Sequence, residues 1–160
     1  MTPQWIGRLL LCLVIAGTIG CDRITKHLAA TTLADSPSRS YLGDTVRIGY
    51  AENRGGFLSL GADLPAAVRV AIFTVATGAV LLALTVVAVR RRVSGWSALG
   101  LALFVGGGLS NLIDRVVNGT VVDFLNVGLG PVRTGVFNVA DVAVMIGVAA
   151  FVWREARGRS

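Results

Sequence analysis

The stretch Phe104–Asp141, FVGGGLSNLIDRVVNGTVVDFLNVGLGPVRTGVFNVAD, decides how the chain is organised. It leaves one apolar segment, crosses a short polar loop and enters a second apolar segment. Its polar residues include Asn111, Asp114, Arg115, Asp123, Asn138 and Asp141, which lie at or near the predicted membrane boundary. Ionisable groups at the boundary of a membrane are costly to insert, so a cluster of them marks a functional site. Three carboxylates within 28 residues make this stretch the candidate site.

The composition places the chain among membrane proteins. It has 160 residues, of which 54% are hydrophobic and only 15% charged, whereas a soluble domain carries about 25% charged residues. Uncharged runs approach or exceed the roughly 18 residues that indicate a transmembrane helix. The net charge of +6 comes largely from arginine clusters at 90–92 and 154–159, beside segment ends. That placement favours a topology signal over nucleic-acid binding.

Four apolar segments predict an all-α integral membrane protein, with a four-transmembrane-helix bundle forming one membrane domain over residues 1–160. The predicted helices span about residues 5–27, 67–89, 96–117 and 136–154. The second includes 20 uncharged residues, Val70–Val89, which give a helix of about 30 Å that matches the hydrocarbon core. Gly100 and Gly106–Gly108 give the third helix a small-residue face for close helix packing.

Two polar regions, 30–65 and 118–135, connect the predicted helices. In the first, the alternation over Val46–Tyr50 before a turn at Gly55-Gly56 indicates a small β-like element between helices 1 and 2. Its 36 residues are too few for an independent core. We therefore expect this region to lie on the membrane surface and to pack over the helix ends.

The arginine clusters at 90–92 and 154–159, with Arg8, predict the orientation of the chain. Short cytoplasmic segments carry an excess of arginine and lysine, so these clusters place both termini in the cytoplasm. Regions 30–65 and 118–135 are then extracytoplasmic, and the polar cluster lies near the extracytoplasmic face.

The first apolar segment allows two interpretations. Its uncharged run, Leu9–Cys21, is short and resembles a signal peptide, so a lipoprotein acylated on Cys21 is one alternative. A helix that continues past Asp22 makes a span of ordinary length. Asp22 and Lys26 then share a helix face, either as a local ion pair or with Asp22 at the edge of a polar site. Cys12 and Cys21 lie about 13 Å apart along such a helix, too far for a disulfide.

The third and fourth segments position the remaining polar groups. Asn111, Asp114 and Arg115 share a face near the end of one helix, and Asp114 with Arg115 is interpreted as a charge pair anchoring that end. Asp141 lies about 7 Å inside the next helix, without a basic neighbour in its own apolar segment. Asp123, in a short apolar run, is the nearest ionisable residue in sequence without an assigned partner, and we expect it to lie beside Asp141.

Clustered carboxylates permit a definite chemistry. Two carboxylates in a dry site cannot both ionise cheaply, so one retains a proton. The ionised member can activate water while the protonated member polarises a scissile carbonyl, without metal or cofactor. A hard-cation site would supply more oxygen ligands and no competing Arg115. Ion or proton translocation remains an alternative, although these polar groups crowd one end of the helices instead of crossing them.

Five short motifs follow one another along nearly the whole chain. They are Asp22-Arg23-Ile24-Thr25-Lys26, Asn53-Arg54-Gly55-Gly56-Phe57, Asn111-Leu112-Ile113-Asp114-Arg115, Val121-Val122-Asp123-Phe124 and Phe137-Asn138-Val139-Ala140-Asp141. In type and order they resemble the conserved motifs of bacterial lipoprotein signal peptidase, also called signal peptidase II. Ser110 and Val142 depart from that pattern, where a glycine and a small polar residue are common, and these departures bear on packing.

The resemblance implies an aspartic endopeptidase of the bacterial cytoplasmic (inner) membrane. Such an enzyme removes the signal peptide from prolipoproteins, cutting just before a diacylglyceryl-modified cysteine. It implies that Asp123 and Asp141 are the catalytic pair. Residues expected to hold substrate or to orient that pair are Asn53, Asn111, Arg115 and Asn138, with Asp22 at a supporting polar position. Lys26 and Asp114 are expected to be structural. The expected partners are prolipoproteins and membrane lipid, with no metal or nucleic acid, and the chain is expected to be a monomer.

Overall fold

Residues 4–91 and 95–157 are described by the computed structural model. Most of them are helical. The helices are α1 (Gln4–Leu33), α2 (Ala66–Arg69), a π-helical segment (Val70–Ala76), α3 (Thr77–Arg91), α4 (Gly95–Asn118) and α5 (Val139–Arg157). The first helix therefore ends later than predicted and the last begins later. Because Asn138 caps α5 with its side chain, that helix cannot start before Val139.

Three of the described helices are long and apolar enough to cross a membrane. They are Trp5–Leu33, Ala66–Arg90 and Gly95–Asn118. The apolar helix Val139–Trp153 is shorter, so the count of four spans stays a prediction. Cys12 and Cys21 are both free and exposed on α1, as their spacing predicted.

Glycines bring α4 and α5 into backbone contact. A Cβ atom on Gly107 would lie 2.4 Å from the carbonyl oxygen of Ala140, and one on Gly147 would lie 2.6 Å from the carbonyl oxygen of Gly100. Any larger side chain at these positions would push the helices apart. Close packing at these glycines is confirmed, and Gly107 places the first turn of α5 against α4. The glycines do not share one face, however, because Gly106 lies against α1 and Gly108 against α3.

A four-stranded antiparallel sheet is formed by two strands from each of the polar regions 30–65 and 118–135. Its strands, in spatial order, are β1 (Arg39–Tyr41), β2 (Val46–Asn53), β3 (Val121–Leu129) and β4 (Val132–Arg133). The prediction of β structure between the first two helices is confirmed by β1 and β2. The helical membrane fold with a small sheet is as predicted, whereas restricting β structure to region 30–65 was wrong, since β3 and β4 lie in region 118–135. The run at Val121–Phe124 shows no period-two alternation because β3 is partly buried on both faces.

The sheet packs over the end of α1, as the sequence predicted. Ala29 and Leu33 of α1 are buried against Phe124 of β3. Partly buried side chains of both central strands and of α5 surround them: Ile48, Tyr50, Val122, Leu125 and Val139. Since β2 pairs with β3 so that Ala51 faces Asp123, the same sheet carries Asn53 and Asp123 to the ends of α4 and α5.

Candidate active site

Asp123 lies on β3 and is 1% exposed. Its Oδ2 accepts a hydrogen bond of 2.8 Å from Asn53 Nδ2, and its Oδ1 accepts one of 2.6 Å from Asn138 Nδ2. Burial raises the pKa of Asp123 to about 6; the two amide hydrogen bonds oppose this rise, and the charge of Asp141 adds to it. This carboxyl therefore changes its charge near neutral pH, as an acid–base catalyst requires.

Asp141 is fixed in the first turn of α5 by a reciprocal cap. Its backbone N–H donates to Asn138 Oδ1 at 2.9 Å, and its own Oδ2 accepts from the backbone N–H of Asn138 at 3.2 Å. This pattern is a capping box with aspartate in the place of glutamate. The other oxygen, Oδ1, accepts a hydrogen bond of 2.9 Å from Asn111 Nδ2. Both oxygens of Asp141 are thereby held in place.

Asn138 therefore connects the two carboxyls. Its side chain bonds to Asp123 and its backbone bonds to Asp141. Within residues 4–91 and 95–157, the ion pairs of the structure involve neither of these aspartates. Neutral amide donors leave each carboxyl free to gain or lose a proton, whereas a direct cation would hold it ionised.

Asn53 shapes the loop beside the pair as well as holding Asp123. Its Oδ1 accepts from the backbone N–H of Gly55 at 2.8 Å, and its Nδ2 also donates to the carbonyl oxygen of Gly56 at 2.9 Å. In the structure this side chain therefore binds the backbone of its own turn. A Cβ atom on Gly55 would lie 2.4 Å from the carbonyl oxygen of Leu60, so the turn requires glycine there.

Arg115 reaches the same loop from α4. Its Nη2 donates to the carbonyl oxygen of Gly55 at 2.7 Å, and its guanidinium carbon lies 5.9 Å from the centre of the Phe73 ring, within cation–π range. The buried Nε atom has no hydrogen-bond partner among the described residues. Phe73 was not singled out in the sequence, because the run Val70–Val89 that contains it carries no charged residue to indicate a functional role.

Asp114 does not pair with Arg115, and that interpretation was wrong. Its carboxylate bonds to Arg23 and lies 2.8 Å from Lys26 Nζ, both on α1. Adjacent residues on a helix do not face each other, so Asp114 points toward α1 while Arg115 points toward the loop at Gly55.

Asp22 links α1 to α4 and α5. Its Oδ2 lies 2.7 Å from Lys26 Nζ and accepts a hydrogen bond of 2.7 Å from Ser110 Oγ. Its Oδ1 accepts from the backbone N–H of Ala140 at 2.8 Å, an otherwise unpaired donor of the first turn of α5. The predicted local ion pair is confirmed, and Asp22 also borders the polar cluster. Ser110, which departs from the family pattern, is thus the hydroxyl donor to this carboxylate.

All nine residues predicted from the sequence thus meet in one cluster, in which only Arg115 is not fully buried. They are Asp22, Lys26, Asn53, Asn111, Asp114, Arg115, Asp123, Asn138 and Asp141. Four further groups that contact these residues were not predicted: Arg23, Phe73, Ser110 and the backbone N–H of Ala140. Within residues 4–91 and 95–157, no group of three or more His, Cys, Asp or Glu side chains is placed to hold a metal ion.

Two buried aspartates joined by one asparagine lie beside helices apolar enough to cross a membrane, an arrangement that fits a membrane aspartic peptidase. The family model described as signal peptidase (SPase) II matches residues 13–157, and the chain belongs to this family. It is therefore a hydrolase that acts on peptide bonds, and the functional class implied by the sequence motifs is confirmed.

Relatives and solved structures agree with this assignment. The chain is 38% identical over 158 residues to a lipoprotein signal peptidase of Mycobacterium leprae, covering 95% of this chain and 73% of the relative. It is 36% identical over 146 residues to one of Desulforapulum autotrophicum, covering 89% of each. A solved structure described as a bacterial membrane enzyme superposes with a TM-score of 0.83 at 25% identity, covering 94% of this chain and 90% of the other.

Proposed function

We propose that this chain removes the signal peptide from prolipoproteins, cutting N-terminal to a diacylglyceryl-modified cysteine at the surface of the bacterial inner membrane. The observation that carries the proposal is the single residue Asn138, which holds both Asp123 and Asp141 by hydrogen bonds. The substrate class is supported by the relatives, which are lipoprotein signal peptidases.

In the proposed mechanism Asp123 and Asp141 share one proton. The ionised carboxylate takes a proton from a water molecule, whose oxygen then attacks the scissile carbonyl carbon. The protonated carboxyl gives its proton to the carbonyl oxygen, which forms a neutral tetrahedral diol. As the diol collapses, one of its hydroxyl groups returns a proton to the carboxylate that protonated the carbonyl oxygen, and the C–N bond breaks. The leaving amine takes the proton that the other carboxyl gained from water, so the pair again holds one proton. The raised pKa of Asp123, about 6, supports this exchange near neutral pH.

The other polar residues hold the pair and the substrate in this proposal. Asn111 orients Asp141, and Asn53 orients Asp123. Arg115 holds the Gly55 turn beside the pair. The loop that follows presents exposed apolar side chains suited to lipid or to the acyl chains of a substrate: Phe57, Leu58 and Leu60. Asp22 supports the first turn of α5 from outside the reacting centre.

The orientation in the membrane is part of the same proposal. Four spans, with both termini in the cytoplasm, place the sheet and the aspartate pair at the extracytoplasmic face. In a variant lacking Cys12 and Cys21, a cysteine at Ser38 should react with an impermeant thiol reagent added to intact cells. A cysteine at Ser94 should react only after the cells are opened. Labelling of the Ser94 cysteine from outside would overturn this orientation.

Cleavage of a defined peptide tests the function. A synthetic signal peptide carrying diacylglyceryl-cysteine, incubated with the purified protein in detergent, should be cut immediately before that cysteine. The matched control is the same peptide with an unmodified cysteine, which should not be cut at a comparable rate. Mass spectrometry identifies the bond broken. Equal cleavage of both peptides, or cleavage elsewhere, would contradict the proposed specificity.

A further inference from the structure

Lys26 is a buried ammonium with three acceptors around it. The residue is 4% exposed. Its Nζ lies 2.7 Å from Asp22 Oδ2 and 2.8 Å from Asp114 Oδ2, and it donates to Asn111 Oδ1 at 2.7 Å. An ammonium has three N–H donors and no acceptor; it donates a hydrogen bond to Asn111 and forms ion pairs with the two carboxylates. Two partners are carboxylates, and the third is an amide next to the aspartate pair.

The contact with Lys26 determines which way the amide of Asn111 points. Because Lys26 can only donate, the atom of Asn111 that faces it must be the oxygen. Asn138 Nδ2 donates to the same oxygen at 3.2 Å. The amide nitrogen of Asn111 is then left on the other side, where it donates to Asp141 Oδ1 at 2.9 Å. A chain of two hydrogen bonds thus runs from Lys26 through Asn111 to Asp141.

We propose that Lys26 is a positioning residue for the peptidase reaction, acting on Asp141 through the side-chain amide of Asn111. This inference rests on the proposed role of Asp123 and Asp141 as the reacting pair. Without the ammonium, the amide of Asn111 loses its stronger donor and can turn over, since the two ends of an amide have nearly the same shape. It would then present an oxygen to the Asp141 carboxylate, and repulsion would displace the carboxylate from its reacting position.

A second role for Lys26 must be separated from this one. Lys26 also neutralises Asp22 and Asp114, and its removal leaves buried carboxylates without a cation, which destabilises the fold. A stability defect alone would therefore not distinguish positioning from charge neutralisation. The comparison is best made in an Asp114→Asn background, where one of the two carboxylates is already neutral.

The test compares Asp114→Asn with Asp114→Asn/Lys26→Met, both purified in detergent and checked for folding by thermal unfolding. The lipidated signal peptide is the substrate. We expect the lysine substitution to lower kcat by about 10- to 100-fold, the range for a misplaced reacting group, with KM changed less than about twofold. If the Met variant does not fold, Lys26→Gln replaces it, because its amide is uncharged and ends one bond nearer the backbone than the ammonium.

A double-mutant cycle with Asn111→Ala then identifies the route. If Lys26 acts through Asn111, the lysine substitution should lower kcat no further once the amide is gone. Fully additive losses, or a folded lysine variant with unchanged kcat, would overturn the inference. Asp141→Asn serves as the reference in the same assay. Cleavage by that variant would refute the proposed catalytic pair, whereas an inactive Asp141→Asn beside a fully active lysine variant would refute only the role of Lys26.

Discussion

Asn138 and Asp141 cap the same helix turn reciprocally, each through its side chain to the backbone N–H of the other. A capping box is ordinarily a device of helix stability. Here the capping asparagine also donates to Asp123 at 2.6 Å. The start of α5 and the geometry of the aspartate pair therefore depend on one side chain.

Substitution of Asn138 should separate these two functions. Asn138→Ser keeps a good N-cap but removes the amide that binds Asp123, so we expect near-normal stability with kcat reduced at least about 10-fold. Asn138→Ala removes both and should cost about 1 kcal/mol more of unfolding free energy. Denaturation in detergent and cleavage of the lipidated peptide measure the two effects. Full activity in Asn138→Ser would contradict the role assigned to the amide.

The aspartate pair should behave as one catalytic unit. Asp123→Asn and Asp141→Asn retain shape but cannot exchange a proton, so each should lower kcat by at least about 10³-fold. The double variant should be no worse than either single one, because groups acting together are not additive. Single-turnover assays with enzyme in excess give the residual rates. Substantial cleavage by the Asp123→Asn variant would show that Asp123 and Asp141 are not the catalytic pair.

The pH profile should move when Asn53 is removed. The hydrogen bond from Asn53 stabilises the ionised form of Asp123 and so opposes the rise that burial causes in its pKa, which stands at about 6. Asn53→Ala should raise that pKa further. Because the two aspartates titrate as a unit, Asp123 can govern either the acidic or the basic limb of the pH profile. The limb that it governs should shift to higher pH. A plot of kcat/KM against pH tests this, and a shift to lower pH would contradict it.

Chelation should leave the reaction unchanged. The four oxygens of Asp123 and Asp141 already accept hydrogen bonds from Asn53, Asn111 and Asn138, which is not the ligand set of a divalent cation. We expect the cleavage rate to be the same before and after dialysis against EDTA. If EDTA abolished activity and a divalent ion restored it, the reaction would depend on a metal, and the proposed mechanism would be wrong.

Asp114 should matter for stability instead of for turnover. Asp114→Asn breaks its pairs with Arg23 and Lys26 and should lower the unfolding free energy by about 1–3 kcal/mol, while kcat for folded enzyme stays near normal. The matched control is Asp44→Asn, which breaks an exposed pair with Arg47 and should change the melting temperature little. Equal melting temperatures for the two variants would contradict the structural role of Asp114.

Local sequence was sufficient for several features of this protein. A run such as Val70–Val89 predicts a membrane-spanning helix, because that prediction needs only the hydrophobicity and the length of the segment itself. Asp22 and Lys26 share a face because a helix places residues four apart on the same side, and the ion pair is present. The motifs around Asn53, Asp123 and Asp141 identified the family, since residue type and order need no coordinates.

Other features depended on contacts between distant segments, and these only the tertiary structure decided. Asp114 pairs with cations on α1 and not with its neighbour Arg115, because the direction of a side chain, not its proximity in sequence, determines which groups meet. Strand β3 formed by pairing with β2, more than 60 residues earlier, which its own residues could not reveal. Asn138 was predicted to orient the pair, but its simultaneous bonds to Asp123 and Asp141 exist only because the sheet and α4 converge on the first turn of α5.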